Sequence, residues 1–117
     1  MADIDPLLDL MKKLRDKDKG CPWDIKQDHN SIAHCSIEEA YELVAAITKN
    51  DQENIKEELG DILLQVIFHS QIAKENNAFD FNDVVEVLSK KLITRHPNVF
   101  DPNFDLKISA DEQSRLW

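Results

Sequence analysis

The stretch IKEELGDILLQVIFHSQIA, residues 55–73, decides the fold class of this 117-residue chain. Within it Ile55, Leu59, Ile62, Leu63, Val66 and Ile67 recur at i, i+4, i+7, i+8, i+11 and i+12, and Ala73 extends the stripe. That is the period of an amphipathic helix. Working outward, Ser36 and Glu39 form an S-x-x-E capping box that predicts a helix start, followed by an apolar stripe of Ile37, Ala40, Tyr41, Val44 and Ile47. A break falls near Asn50 and Asp51. Upstream, a first helix is expected from Asp5, with Pro6 at its first position and Leu7, Leu8, Met11 and Leu14 on one side, failing between Asp16 and Gly20. Residues 20–35, GCPWDIKQDHNSIAHC, show no helical period and read as a long irregular loop. Downstream, a helix from about Asn82 to Arg95 has Val84, Val85, Leu88 and Leu92 as its expected buried face and is stopped by Pro97. Ser109 is placed to cap one more helix. No segment alternates with period two, so an all-α bundle of four to five helices is expected, in one domain over residues 1–117 whose last helix looks cut short.

Composition narrows the function. With 42% hydrophobic residues, two Gly and four Pro, the chain can build a core and is neither fibrous nor disordered. No apolar run approaches the roughly 18 residues of a membrane span, and no basic segment precedes a long apolar one, so a cytoplasmic protein without membrane contact is expected. A net charge of −9 repels nucleic-acid backbones. It also suits hard divalent cations, which prefer carboxylate oxygens. Cys21 and Cys35 are too few for a disulfide scaffold.

The chemistry concentrates in two acidic clusters, Glu38-Glu39-Ala-Tyr-Glu42 and Glu57-Glu58-Leu-Gly-Asp61, on consecutive helices. Residues three apart on a helix project to one side, so Glu39 with Glu42, and Glu58 with Asp61, make two pairs. Antiparallel packing would let them offer four carboxylates to Mg²⁺, whose remaining waters a phosphate can replace. Either pair alone is ordinary surface charge, and Glu39 already has a capping role. Two pairs on consecutive helices point to a metal, the more so because Gly60, at a cost of about 1 kcal/mol to the helix, lies between two of the acids and suits close packing or close approach of a ligand. Gln65 and His69 continue the strip from Glu58 and Asp61.

Other metal sites fail on spacing. No His has a Glu three residues before it, as di-iron bundles require, and Asp16-x-Asp18-x-Gly20 lacks the later ligands of a calcium loop. Cys21, His29, His34 and Cys35 lack the closely spaced Cys pair that would complete a zinc site. Lys90, Lys91, Arg95 and His96 form the densest basic cluster, suited to phosphate but equally to a helix C-terminus, and Trp23 and Trp117 are aromatic faces for a base or for packing.

GCPWD at 20–24, EEAYE at 38–42, EELGD at 57–61 and KLITRHPNVF at 91–100 together resemble the MazG family of all-α nucleoside triphosphate pyrophosphohydrolases, nearly along the whole chain and in the same order. The resemblance implies hydrolysis of NTPs or dNTPs to nucleoside monophosphate and pyrophosphate by water attack between the α and β phosphates. It implies Mg²⁺, with Mn²⁺ as a substitute, on Glu39, Glu42, Glu58 and Asp61. Glu38 would bind a second metal or orient the attacking water, and Lys91, Arg95 and Trp117 would contact the nucleotide. A homo-oligomer, dimer or tetramer, is also implied. Asn98 stands where the family often has a second His. The chain resembles a single MazG domain or the N-terminal half of the family's tandem proteins, which leaves a weakly catalytic nucleotide-binding half, or a dimerisation module, as the alternatives.

Overall fold

A computed structural model describes residues 3–103 and 108–117. Among them are seven helices and no strand: α1 (Asp5–Leu14), α2 (Pro22–Lys26), α3 (His29–Thr48), α4 (Gln52–Glu75), α5 (Phe81–Thr94), α6 (Pro97–Phe100) and α7 (Ala110–Leu116). The all-α expectation holds, and the count exceeds five because α2 and α6 are single short turns of helix. No helix is long and apolar enough to cross a membrane. The chain divides into two compact units, Met1–Phe81 and Asn82–Trp117.

In the first unit α3 pairs with α4 and α1 packs on α4. Helix α3 corrects the sequence reading. It starts at His29, seven residues before Ser36, because Asp28 caps it: the Asp28 carboxylate accepts from the Ser31 amide at 2.8 Å and the Asp28 amide donates to Ser31 Oγ at 2.8 Å. This D-x-x-S box, not Ser36 with Glu39, is the real cap, and Glu39 is left without a capping duty. The turn into α4 uses Asn50 in the left-handed region, φ 54°, which Asn tolerates, and Asp51 then caps α4 by accepting from Asn54.

The inward face of α3 is also displaced from the expected stripe. Every α3 residue that is not exposed falls on His29, Ile32, Cys35, Glu39, Leu43 and Ala46, the three-four spacing of a helix seam. Ile37, Tyr41 and Val44 are 62%, 73% and 58% exposed. On α4 the matching seam runs through Ile55, Glu58, Ile62, Gln65, His69 and Ile72. Glu39 meets Glu58, and His29, nearer the start of α3, meets His69, farther along α4, so the two helices run antiparallel. The core proper is Met11, Ile32, Ile67, Phe68 and Ile72, ringed by Ile4, Leu8, Cys35, Leu63 and Phe81. All the buried residues of α4, Ile67, Phe68, Ser70, Ile72 and Ala73, lie in its C-terminal half.

The stretch read as an irregular loop is instead mostly helical, comprising α2 and the first turns of α3, and two features tie its start down. Gly20 closes the turn after α1, where a Cβ would stand 2.4 Å from the Leu14 carbonyl oxygen, a position only glycine can fill. Arg15, its side chain 7% exposed, donates to the carbonyls of Asp24 at 2.6 Å and Gln27 at 3.0 Å and forms a two-pronged ion pair with Glu75 at 2.8 and 2.9 Å. Its guanidinium covers the Phe68 ring at 5.5 Å, and Trp23 meets the same ring edge-on at 6.4 Å. The pairing with Arg15 holds the Glu75 carboxyl below its ordinary range.

In the second unit α5 has no buried residue: Val85, Leu88 and Leu92 are exposed and Val84 half-buried, so the buried face expected for it is not formed among the described residues. Ser109 caps α7 as expected, accepting from Glu112.

Replacing Arg15 by Ala leaves two inward-facing carbonyls and Glu75 unpartnered. We expect a loss of about 2–3 kcal/mol in urea unfolding, against less than about 0.5 for exposed Lys12→Ala.

Candidate metal and nucleotide site

The acidic site is built on the seam. Glu39 of α3 and Glu58 of α4 take inward positions that an aliphatic residue would occupy elsewhere, and Asp61 follows one turn beyond Glu58. One oxygen from each of Glu39, Glu58 and Asp61 lies within 4.8 Å of the others. Partial burial pushes the Glu58 carboxyl above its ordinary range, and the charges of Asp61, Glu39 and Glu42 and a hydrogen bond with Glu39 push it the same way. Among the described residues no Lys or Arg pairs with these acids. Three hard oxygen donors from two helices, mutually repelling and without a counter-charge, fit a divalent cation such as Mg²⁺.

The remaining expected residues divide. Glu42 is exposed and lies outside the close group of three, though near enough to act on Glu58. Glu38 is exposed, lies outside that group and joins His34 and Cys35 in a second group of potential ligands. Gly60 packs against nothing, since a Cβ there would meet no atom within 4 Å, so close packing within the chain does not explain it. Of the four residues drawn as a zinc set, His29 is engaged with His69, and Cys21 joins no ligand group among the described residues.

Beyond the acids the seam stays polar. A recess of about 230 Å³ is lined by Ser36, Ile62, Gln65, Val66 and His69, and the Gln65 side-chain oxygen is buried there with no partner among the described residues. His69 Nδ1 lies 2.7 Å from His29 Nδ1, the rings stacked at 5.0 Å and 10°. One Nδ1 must donate and the other accept, so at least one ring is neutral. Burial, then the His29 charge, holds His69 below its ordinary range. The sequence placed His69 on the polar strip but missed His29, because His29 fell in the stretch read as a loop.

In the second unit Arg95 and Trp117 come together. The guanidinium sits 5.3 Å over the indole ring and donates to the Trp117 backbone oxygen, while Gln113 donates to the Arg95 carbonyl. Lys91 is exposed one turn earlier.

The profile of the MazG nucleotide pyrophosphohydrolase domain matches residues 27–100. The nucleoside triphosphate pyrophosphohydrolase/pyrophosphatase MazG of Thermotoga maritima is 47% identical over 118 residues, 96% of this chain and 46% of that protein. The nucleoside triphosphate pyrophosphohydrolase of Escherichia coli K12 is 48% identical over 100 residues, 86% of this chain and 38% of that protein. The crystal structure of a mazG-related protein from Thermotoga maritima superposes with a TM-score of 0.73 at 27% identity, over 97% of this chain and 94% of the other. The chain thus spans less than half the length of the curated relatives it matches.

Because the folded state holds the His69 proton more weakly than the unfolded chain does, stability is retained above the ordinary His value of 6.5 and falls as pH drops through it. Thermal melts from about pH 8 to about pH 5 should show that fall, and His69→Gln, which keeps a partner for His29, should flatten it.

Proposed function

The chain belongs to the MazG nucleotide pyrophosphohydrolase family, and from that premise we propose that it hydrolyses nucleoside triphosphates, ribo- or deoxyribonucleotides, to the monophosphate and pyrophosphate. The observation that carries this reading is the group formed by Glu39, Glu58 and Asp61 across two helices, where burial and the neighbouring acids hold the Glu58 carboxyl above its ordinary range. Mg²⁺, or Mn²⁺ in its place, would be held by these three with Glu42 as a fourth donor, and when bound it supplies neutralising charge for the phosphates and acidifies a water.

The chain's own residues supply the rest of the mechanism. Glu58 and Glu39, as seam residues of packed helices, fix the spacing of the oxygens, so the site is organised before substrate arrives. Glu38, next to Glu39 on α3, is a ligand to a second cation or the group that orients the attacking water. Lys91 and Arg95 offset the charge that develops on the leaving pyrophosphate, and Trp117 offers a face to the base. The last three assignments rest on chemistry and family pattern alone.

The oligomer reading has support of its own. Ile37, Tyr41 and Val44 form an exposed apolar stripe on α3, which single scattered side chains would not make, and we assign it to a second copy of this chain. A cytosolic setting suits the free thiols of Cys21 and Cys35, and the net charge of −9 disfavours nucleic acid as a partner.

Incubation with each common NTP and dNTP, with Mg²⁺ and then with EDTA, should give metal-dependent monophosphate and pyrophosphate on ion-exchange chromatography. Asp61→Ala and Glu58→Ala should lose at least about a hundredfold in turnover. Calorimetric binding without product would favour the weakly catalytic, nucleotide-binding half, and full activity in both variants would sink the site assignment. In EDTA, Glu58→Gln should melt above the wild type, since it removes a repelling charge, and it should lose the rise in melting temperature that Mg²⁺ gives the wild type.

Light scattering should find the wild type as a dimer or tetramer, and Tyr41→Glu should shift it to monomer. A monomeric wild type would overturn the assignment of the α3 stripe.

A further inference from the structure

The second ligand group lies on a single stretch of α3. His34 and Glu38 are four residues apart, and Cys35 and Glu38 three apart, so all three side chains can converge over one turn. One ligand atom from each lies within 4.8 Å of the others, and Cys35 Sγ stands 3.7 Å from His34 Nε2. With zinc–sulfur bonds of about 2.3 Å and zinc–nitrogen bonds of about 2.0 Å, the sulfur–nitrogen edge of a tetrahedral zinc centre is about 3.5 Å. The two donors therefore already stand at coordination spacing. Their mobility is graded in a way that suits metal capture. Cys35 is half-buried and packs against the core, which fixes the sulfur, whereas His34 and Glu38 are exposed and adjust to it.

The donor types separate this group from the carboxylates. Thiolate and imidazole favour Zn²⁺, and carboxylates alone favour Mg²⁺. Glu38 is in no ion pair among the described residues, so binding breaks no existing pair. We propose that His34, Cys35 and Glu38 form a Zn²⁺ site, with water in the fourth position, separate from the Glu39, Glu58 and Asp61 group; of the two roles open to Glu38, this takes the ligand to a second cation. Binding replaces the Cys35 thiol proton, which passes to solvent, and no redox partner is involved. A plain thiol–imidazole contact is the competing account of the 3.7 Å distance, and it predicts no metal affinity.

Co²⁺ is the probe, because a cobalt–thiolate bond gives a near-ultraviolet charge-transfer band that carboxylate ligands do not. Titration of the reduced chain in excess Mg²⁺ should produce that band, stoichiometrically and reversed by Zn²⁺. The band should vanish in Cys35→Ser and persist in Cys21→Ser. Competition with a chromophoric chelator should show Zn²⁺ affinity falling at least about tenfold in His34→Gln and in Glu38→Gln, both at exposed positions where the fold is safe by circular dichroism. Absence of the band, its survival in Cys35→Ser, or unchanged Zn²⁺ affinity in either exposed variant would overturn the site.

Discussion

The antiparallel seam between α3 and α4 is the constraint on which the rest depends. A helix seam normally excludes ionised groups, because burying a carboxylate without a partner costs several kcal/mol. Here Glu39 and Glu58 occupy seam positions flanked by Ile32, Leu43, Ile55 and Ile62, and each helix brings the other's acid toward its own. Packing therefore sets the distance between the oxygens, and no flexible loop has to find it. The same seam explains why Glu58 keeps its proton more tightly than an ordinary Glu: the seam strips water from it, and neighbours that the packing holds close repel its charge.

That arrangement has a mechanical counterpart at the other end of the seam. His29 and His69 close it with a hydrogen bond that requires a neutral ring, and Arg15 gathers α1, the α2 segment and the end of α4 around Phe68. These contacts are polar but partly shielded, so they specify one register where an all-aliphatic seam would tolerate sliding by a turn.

Helix class, the Asn50 turn and the acids of the site were legible because each rests on local rules: a 3.6-residue period, a left-handed Asn, and carboxylates three residues apart. The phase of α3 was not. Ile37, Tyr41 and Val44 are the most apolar line on that helix, so a rule that turns the most apolar line inward selects them, whereas the chain turns inward a line that includes Cys35 and Glu39. Periodicity cannot distinguish an apolar line aimed outward from one that faces a core. The start of α3 was hidden by the same kind of competition. Ser36 with Glu39 satisfies the capping pattern as well as Asp28 with Ser31 does, and only the burial of Ile32 favours the earlier pair. The exposed face of α5 repeats the lesson.

Helix α4 carries its two duties at opposite ends. Its buried anchors begin at Ile67, while Glu57, Glu58 and Asp61 lie in the half before it. About nine residues of helix, some 13 Å, separate Glu58 from the first of those anchors. Substitutions among the acids and their exposed neighbours therefore leave the buried anchors of α4 largely untouched, and the reverse also holds. Such a helix can exchange side chains at one end while the other end conserves the architecture, a partition that lets one scaffold accumulate different specificities across descendants without each passing through an unfolded ancestor.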